Sequence, residues 1–129
     1  MATVGQLMTS HLSTITEDAT IKQAACHMQA DHIGSLLVKK DKRFLGIITE
    51  TDVVRAVAEE ADLSKLSVEK MMSRPILTVE KKLSPHYARD LMAEKHIRHL
   101  AVTEDGDIVG IISARDLLAY FKTVSKEIA

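Results

Sequence analysis

The chain has 129 residues, of which 46% are apolar and 27% are charged, and its formal net charge is −1. This composition excludes intrinsic disorder, and no apolar run approaches the ~20 residues of a membrane-spanning helix. The balanced charge argues against general nucleic-acid binding, and a single cysteine excludes both an intramolecular disulfide and a cysteine-rich zinc site. The N-terminus has neither the basic nor the apolar segment of a secretory signal, so we expect a cytoplasmic protein.

The first half of the chain predicts alternating helices and short strands. Ile21, Ala24 and Met28 recur at helical spacing, and Asp18 or Thr20 can cap the helix that they form. The predicted elements are a short helix at Val4–Met8, a strand at Thr14-Ile15, a helix over Thr20–Ala30, strands over Ser35–Lys39 and Phe44–Thr49, and a helix over Glu50–Ala61.

The second half repeats the first after a shift of 64 residues, without a gap. The matched positions include His32-Ile33 with His96-Ile97, Gly46-Ile47-Ile48 with Gly110-Ile111-Ile112, and Asp52 with Asp116. Chance similarity does not keep register over half a chain, so we interpret the sequence as a tandem duplication. In the second copy the hairpin turn contains Asp105-Gly106, a strong turn signal, and the last helix covers Ala114 to about Thr123.

One copy of about 60 residues has only a marginal core. We therefore predict an α/β (α+β) fold in which two β-α-β-β-α copies pack sheet to sheet about a pseudo-twofold axis. The domains are residues 1–63 and residues 67–129, and the polar segment Asp62–Ser67 is predicted to link them without structure of its own. Because aromatic residues are scarce, the core must consist of aliphatic residues, alanine and methionine.

Both copies carry one motif: glycine, two β-branched apolar residues, a hydroxyl residue, two variable residues and aspartate. The motif spans Gly46–Asp52 and Gly110–Asp116. One interpretation is structural, because Ser or Thr followed three residues later by an acid is close to a capping box. The other is functional, because a carboxylate can accept both hydrogen bonds of a ribose diol and a helix N-terminus suits phosphate. From the residues alone both interpretations stay open.

The duplicated motif resembles the tandem cystathionine-β-synthase (CBS) domain pair, or Bateman module. The resemblance covers about Val4 to Phe121 and includes the Val-x-x-x-Met start of both copies, Arg74-Pro75 and Ile97–Leu100. It implies a sandwich of two sheets that commonly dimerises into a flat disc. It also implies that AMP, ADP, ATP or S-adenosylmethionine binds in clefts between the repeats and regulates an attached or partner protein.

The resemblance implies a first cleft around the aspartate of the second copy. Asp116 would hold the ribose hydroxyls, Arg98, His99 and Arg115 would meet phosphate, and the backbone near Ser13–Ile15 would hold adenine. The residues predicted for this site are Asp116, Ser113, Arg115, Arg98, His99, Ser10, Ser13, Thr14 and Ile15.

The second cleft is predicted to be weaker, because Gly34-Ser35 stands where the second copy has Arg98-His99. We expect the Asp116 cleft to prefer phosphorylated nucleotides and the Asp52 cleft to take a less phosphorylated compound or to stay empty. The residues predicted for this second site are Asp52, Thr49, Thr51, Gly34, Ser35, Pro75, Ile76, Leu77 and Thr78.

Three further expectations concern histidine and cysteine. The pairs His96/His99 and His27/His32 are weak evidence for a metal, so no metal site is predicted. His32 and His96 occupy equivalent positions and are expected to share a structural task at the end of a helix. Cys26 is expected to be a packed, inert thiol.

The leading hypothesis is a stand-alone, homodimeric regulatory module that is not an enzyme and has no catalytic cofactor. Its regulatory ligand is an adenine nucleotide or S-adenosylmethionine, and it signals to an unknown partner protein, without nucleic acid or membrane. The alternative is a ligand-free interaction and dimerisation scaffold whose Ser/Thr-x-x-Asp motifs are only helix caps. A third interpretation, an adenosine-dependent enzyme fragment, is disfavoured because no nucleophile–base pair or metal cage appears.

Overall fold

The computed structural model describes the backbone of residues 1–128 and the side chains of residues 1–125. The helices are α1 (Val4–Leu7), α2 (Ile21–Asp31), α3 (Glu50–Ala58), α4 (Val68–Met71), α5 (Pro85–Lys95) and α6 (Ala114–Ile128). The strands are β1 (Thr14–Thr16), β2 (Ser35–Lys40), β3 (Arg43–Thr49), β4 (Thr78–Glu80), β5 (His99–Glu104) and β6 (Asp107–Ser113). The predicted mixed α/β class and the β-α-β-β-α order of each copy are confirmed.

The strands form two three-stranded sheets with the same topology, β1-β2-β3 and β4-β5-β6. In each sheet the first strand is parallel to the second, and the second is antiparallel to the third. Thr14 lies opposite Leu37 in one sheet, and Thr78 lies opposite Ala101 in the other. The second pair is the first pair shifted by 64 residues, so the two sheets have the same register.

The chain forms two compact units that are offset from the halves of the sequence. The Asp52 unit is Ser13–Ile76, and the Asp116 unit combines Met1–Leu12 with the described residues from Leu77 onwards. In the Asp116 unit, Thr9 and Ile111 exchange backbone hydrogen bonds of 2.8 and 3.0 Å. In the Asp52 unit, Ser73 and Ile47 exchange bonds of 2.9 and 3.1 Å. Each third strand therefore pairs with the segment that begins the other sequence copy.

Each unit has its own aliphatic and methionine core, as the composition predicts. The buried core of the Asp52 unit consists of Ile21, Ala24, Met28, Leu36, Val38, Ile48, Ala56, Val68, Met71 and Met72. The buried core of the Asp116 unit consists of Val4, Val79, Ala88, Met92, Leu100, Val102, Ile112 and Leu117. The short helices α1 and α4 thus each contribute a fully buried valine to the unit on which they pack.

Two glycines allow the short segments to lie close to the sheets. A Cβ atom on Gly46 would lie 2.7 Å from both Met72 Sδ and the Ser73 carbonyl oxygen. A Cβ atom on Gly110 would lie 2.9 Å from the Thr9 carbonyl oxygen and would also meet Met8. Glycine is required at both positions because any side chain would push the paired segment away.

Thr20, His32 and His96 lie at the ends of helices, and these positions explain their structural roles. The Thr20 side chain accepts the Gln23 N–H over 3.1 Å and caps α2, so Thr20 rather than Asp18 is the cap. His32 and His96 end α2 and α5 in the left-handed region, with φ of 55° and 56°. The shared structural task expected of these two histidines is therefore to end a helix.

Three local predictions differ from the structure. Helix α3 ends at Ala58 rather than Ala61, because Glu60 takes a left-handed φ of 58° and the Ala61 N–H turns back to the Ala56 carbonyl. Helix α6 runs beyond Thr123 to Ile128. Cys26 is exposed rather than packed, because it lies off the buried stripe of α2 formed by Ile21, Ala24 and Met28.

The segment Asp62–Ser67 also has more structure than predicted. It is held against the start of α2, where the Leu66 carbonyl accepts the Ile21 N–H and the Leu63 carbonyl accepts the Lys22 N–H, each over 2.9 Å. Leu63 and Leu66 also pack against the core of the Asp52 unit. The segment is therefore docked by its two leucines, although it forms no helix or strand.

Candidate functional site

The carboxylate of Asp116 lies at the start of α6, directly after β6. The Ser113 N–H donates to Asp116 Oδ2 over 2.8 Å, and the Ser113 hydroxyl donates to the same oxygen over 3.0 Å. The Asp116 N–H donates in return to Ser113 Oγ over 3.2 Å. This reciprocal arrangement is a capping box, so the motif does cap its helix.

The cap uses only one oxygen of the Asp116 carboxylate. Both hydrogen bonds that the carboxylate accepts from residues 1–125 end on Oδ2, and the residue is only half-buried. An ionised carboxylate has about four lone-pair sites on its two oxygens. Asp116 can therefore cap α6 and accept donors from another molecule at Oδ1.

Two arginines and a histidine accompany this helix start. The Arg98 carbonyl accepts the Ala114 N–H over 2.8 Å, which fixes the Arg98 backbone beside the first residue of α6. Arg115 is the second residue of the helix, and both arginine side chains are exposed. His99 is half-buried and lies opposite Ser113 in the sheet. Helix N-termini and guanidinium groups both favour anions, so this end of the unit suits a phosphate-bearing ligand.

The Asp52 carboxylate lies at the equivalent place, but both of its oxygens are bonded. The Thr49 N–H and hydroxyl donate to Oδ2 over 2.8 and 3.2 Å. The Arg55 guanidinium donates to Oδ1 over 3.3 Å and to the Met71 carbonyl over 3.0 Å. Asp52 is 6% exposed. This carboxylate therefore joins the start of α3 to the end of α4 through Arg55.

The Asp52 unit has uncharged residues at the three positions that are equivalent to Arg98, His99 and Arg115. The Gly34 carbonyl accepts the Glu50 N–H over 3.1 Å, which is the role of the Arg98 carbonyl in the other unit. Ser35 lies opposite Thr49 and is buried, in the place of His99. Thr51 is exposed in the place of Arg115. At each of these matching positions the Asp52 unit therefore has an uncharged residue, as the sequence predicts, and the two arginines are found only in the Asp116 unit.

The other predicted site residues divide between the units. Ser10 follows Thr9, which pairs with Ile111, so Ser10 belongs to the Asp116 unit. Pro75 and Ile76 belong to the Asp52 unit, shortly after the pairing of Ser73 with Ile47. The other five residues belong to the compact unit that does not contain their predicted motif; they are Ser13, Thr14, Ile15, Leu77 and Thr78. The adenine-binding role expected of Ser13–Ile15 stays a prediction.

A family model that describes the CBS domain matches this chain twice, at residues 4–59 and 68–123. The chain belongs to the CBS domain family. The two matched regions are the two sequence copies, so each compact unit joins the body of one CBS repeat to the first segment of the other. The resemblance inferred from the motifs is confirmed.

Relatives in sequence include both a small uncharacterized protein and longer enzymes. An uncharacterized 17.7 kDa protein of Acidianus ambivalens is 37% identical over 120 residues, which cover 91% of this chain and 72% of that protein. Homoserine O-acetyltransferase of Methanococcus vannielii is 33% identical over 118 residues, which cover 88% of this chain and 24% of the enzyme. The chain therefore spans about a quarter of the length of that enzyme.

Solved structures of CBS proteins match nearly the whole chain. A protein with CBS domains from Burkholderia ambifaria MC40-6 is 31% identical with a TM-score of 0.89, and the match covers 93% of each chain. The CBS domain pair of protein MJ0100, crystallised with 5′-methylthioadenosine and S-adenosyl-L-methionine, is 22% identical with a TM-score of 0.86. That match covers 95% of this chain and 98% of the other, and the likeness concerns the fold.

Motif reasoning in the CBS repeats missed Arg55. A signal was present, because Arg55 follows Asp52 by three residues on a helix, a spacing that brings side chains together. The equivalent residue of the second repeat is Ala119, so the shift of 64 residues also exposes the difference. The contact with the Met71 carbonyl is separated by 16 residues in sequence and carries no local signal.

An open depression of about 470 Å³ in the Asp52 unit is lined by Ile15, Thr16, Asp18, Ala19, Gln23 and His27, none of which belongs to the Ser/Thr-x-x-Asp motif. Its lining includes no lysine or arginine, so we do not place the phosphate-binding chemistry there. Within the described chain, no group of three or more His, Cys, Asp or Glu residues is arranged to hold a metal ion. No helix in that part of the chain is long and apolar enough to cross a membrane.

Proposed function

We propose that this chain is a non-catalytic regulatory module that binds an adenosine-containing ligand at the Asp116 motif and signals its occupancy to a partner protein. The ligand class is AMP, ADP, ATP or S-adenosylmethionine, and the module acts as a homodimer in the cytoplasm. The observation that carries the proposal is the half-buried Asp116 carboxylate, whose Oδ1 accepts no bond from residues 1–125, at a helix start that also carries Arg98 and Arg115.

The chemistry of this end of the unit matches the parts of a nucleotide. A carboxylate oxygen accepts hydrogen bonds from ribose hydroxyls, as acidic residues do in dinucleotide sites. Arg98 and Arg115 supply donors for phosphate in a fork geometry, and the N-terminus of α6 adds its dipole. Ser113 donates to the carboxylate, His99 lies opposite Ser113 in the sheet, and Ser10 follows Thr9, which pairs with β6. The weaker second site predicted around Asp52 and Thr49 has Gly34 and Thr51 in the places of Arg98 and Arg115, and the cation beside it, Arg55, is bonded to Asp52 itself.

The MJ0100 complex guides the choice of compounds for the test. That protein binds 5′-methylthioadenosine and S-adenosyl-L-methionine, but its likeness to this chain is one of fold. A ligand that binds one conformation more tightly than another would shift the population of the module, and a partner could read that shift.

A second candidate, the ligand-free scaffold, has an observation in its favour. Both Ser/Thr-x-x-Asp motifs are satisfied as helix caps by hydrogen bonds within the chain. Caps alone would account for the hydroxyl and the acid at each motif. They do not account for Arg98 and Arg115 at only one of the two helix starts, which is why we favour the sensor.

A thermal-shift panel separates the two candidates. AMP, ADP, ATP, S-adenosylmethionine and NADH are each tested with and without Mg²⁺. A ligand at 100 times its Kd stabilises the folded state by about 2.7 kcal/mol, which raises the melting temperature by several degrees. We expect at least one compound to do so, and we expect Asp116→Asn to remove the shift while keeping part of the cap.

The matched control is Asp107→Asn, which removes an exposed carboxylate from the same unit at the start of β6. It should leave the ligand shift unchanged. If no compound raises the melting temperature, the scaffold is the better description. If Asp116→Asn keeps the full shift, the ligand binds elsewhere and the proposed site is wrong.

A further inference from the structure

Arg55 forms a bridge between two elements of the Asp52 unit. Its Nη2 atom lies 3.3 Å from Asp52 Oδ1 and 3.0 Å from the carbonyl oxygen of Met71, the last residue of α4. The Arg55 side chain is 52% exposed, whereas that of Asp52 is 8% exposed. The arginine therefore covers the carboxylate from the solvent side and ties it to backbone at the same time.

The bridge changes what the Asp52 carboxylate can accept. The N–H and hydroxyl of Thr49 donate to Oδ2, and the charged guanidinium of Arg55 donates to Oδ1. A ribose diol would have to displace the guanidinium and would leave a neutral donor in place of a charged one. The displaced guanidinium would lose both its ion pair with the carboxylate and its hydrogen bond to the Met71 carbonyl, so this exchange is unfavourable. The carboxylate is thus occupied by the protein's own side chain.

The second repeat lacks the bridging residue at the matching position. Ala119 stands three residues after Asp116, as Arg55 stands three residues after Asp52. The residue that matches Met71 is Leu7, the last residue of α1, and it belongs to the same unit as Asp116. Both partners of the bridge are therefore present in the Asp116 unit, and only the arginine is missing.

We propose that Arg55 closes the Asp52 carboxylate against ligands, so that the chain has one adenosine-binding site, at Asp116. This inference rests on the proposed function and adds to it the residue that decides which of the two motifs is available. The residue at position 55 in one repeat, and at position 119 in the other, decides whether the carboxylate three residues earlier can bind a ligand. An alanine there leaves Oδ1 available, and an arginine there occupies it.

Exchanging the two residues tests the proposal. AMP, ATP and S-adenosylmethionine are titrated separately by calorimetry into the full chain and its variants. The wild-type protein should bind one molecule per chain. Arg55→Ala, which installs the residue of the other repeat, should bind a second molecule, and adding Asp52→Asn should return the number to one. Ala119→Arg should weaken binding at the Asp116 motif by at least about tenfold, since the loss of one hydrogen bond to a charged group is of that size.

Two controls keep the result interpretable. Arg43→Ala removes an exposed arginine from the same unit at the start of β3, so it should bind one molecule, like wild type. Arg55→Met retains a long apolar stem and replaces Arg55→Ala if the alanine variant does not fold. Circular dichroism and melting temperature establish which variants are folded.

The outcomes distinguish failure of this inference from failure of the proposed function. Two molecules per wild-type chain, or one molecule per folded Arg55→Ala and Arg55→Met chain, would overturn the role of Arg55 and leave the sensor intact. If wild type binds none of the three compounds while Arg55→Ala binds one, Arg55 does close Asp52 and the proposed site at Asp116 is wrong. If wild type and every folded variant bind none of the three compounds, both the role of Arg55 and the proposed function are wrong.

Discussion

The Asp52 unit and the Asp116 unit have the same backbone arrangement and differ in the residues around their motif aspartates. Strand order, register and the left-handed helix ends recur after 64 residues. The carboxylates do not recur in the same state, because Asp52 is 6% exposed and bonded by Arg55, whereas Asp116 is half-buried and bonded only by Ser113 among residues 1–125. The lesson is that two copies of one motif can have different chemistry when a single helical residue beside them differs.

This difference also explains why the motif alone left two interpretations open. The capping function needs one carboxylate oxygen, and ligand binding needs the other. Both motifs satisfy the first requirement, and the residue three positions later decides the second. Capping and binding are therefore not exclusive alternatives at Asp116, where Oδ2 accepts the capping bonds and Oδ1 accepts none from residues 1–125.

The largest expected effect tests the shared backbone arrangement through its cores. Leu36 and Leu100 are matched residues with 0% exposure. Leu36→Ala and Leu100→Ala should each lower the free energy of unfolding by about 2–5 kcal/mol, because each leaves a cavity and loses buried apolar contacts. Urea denaturation followed by circular dichroism measures both.

The control for the leucine pair is Leu118→Ala, since Leu118 is 72% exposed. It should change the free energy of unfolding by no more than about 0.5 kcal/mol. If one buried leucine costs several kcal/mol and its counterpart costs as little as Leu118, the two units do not have equivalent cores and the comparison fails.

A smaller effect tests how the short segments sit against the sheets. Gly46→Ala should force apart β3 and the Met72-Ser73 segment, and Gly110→Ala should do the same to β6 and the Met8-Thr9 segment. We expect each to lower the free energy of unfolding by about 1–3 kcal/mol, the usual cost of overpacking. Thermal and urea denaturation provide the measurement, and wild-type stability in either variant would show that the segment is not held there.

The smallest effect sharpens the contrast between the carboxylates. Asp116→Ala should cost about 1 kcal/mol of stability, because it removes the acceptor of the Ser113 N–H and hydroxyl in the capping box. Asp52→Ala should cost about 2 kcal/mol, because it also removes the acceptor of Arg55, whose half-exposed position keeps that extra loss small. Equal losses in urea denaturation would mean that the Arg55 bridge contributes nothing to folding.

Much of the fold follows from local patterns in the sequence. The spacing of Ile21, Ala24 and Met28 predicts the buried face of α2, and the Asp105-Gly106 turn predicts the second hairpin. Helix ends were less accurate, because Glu60 enters the left-handed region although it is neither glycine nor asparagine. The prediction that Cys26 is packed was wrong, because Cys26 lies off the buried stripe of Ile21, Ala24 and Met28.

The candidate site was predictable in its charges and not in its contacts. Arg98, Arg115 and Asp116 were selected from the sequence, and the structure places them at one helix start in one unit. Arg55 was missed because half of its role depends on the Met71 carbonyl, which a tertiary contact brings to it.

The sequence by itself determined that this protein is a duplication of one repeat and that the two motifs differ in charge. Repetition in register, periodicity and turn residues are local properties, so they can be read along the chain. Only the tertiary structure decided that Met1–Leu12 joins the unit of the second repeat and that Arg55 occupies Asp52. Backbone pairing such as that of Thr9 with Ile111 depends on which strand edge lies nearby in space, and nothing in a local pattern specifies that edge.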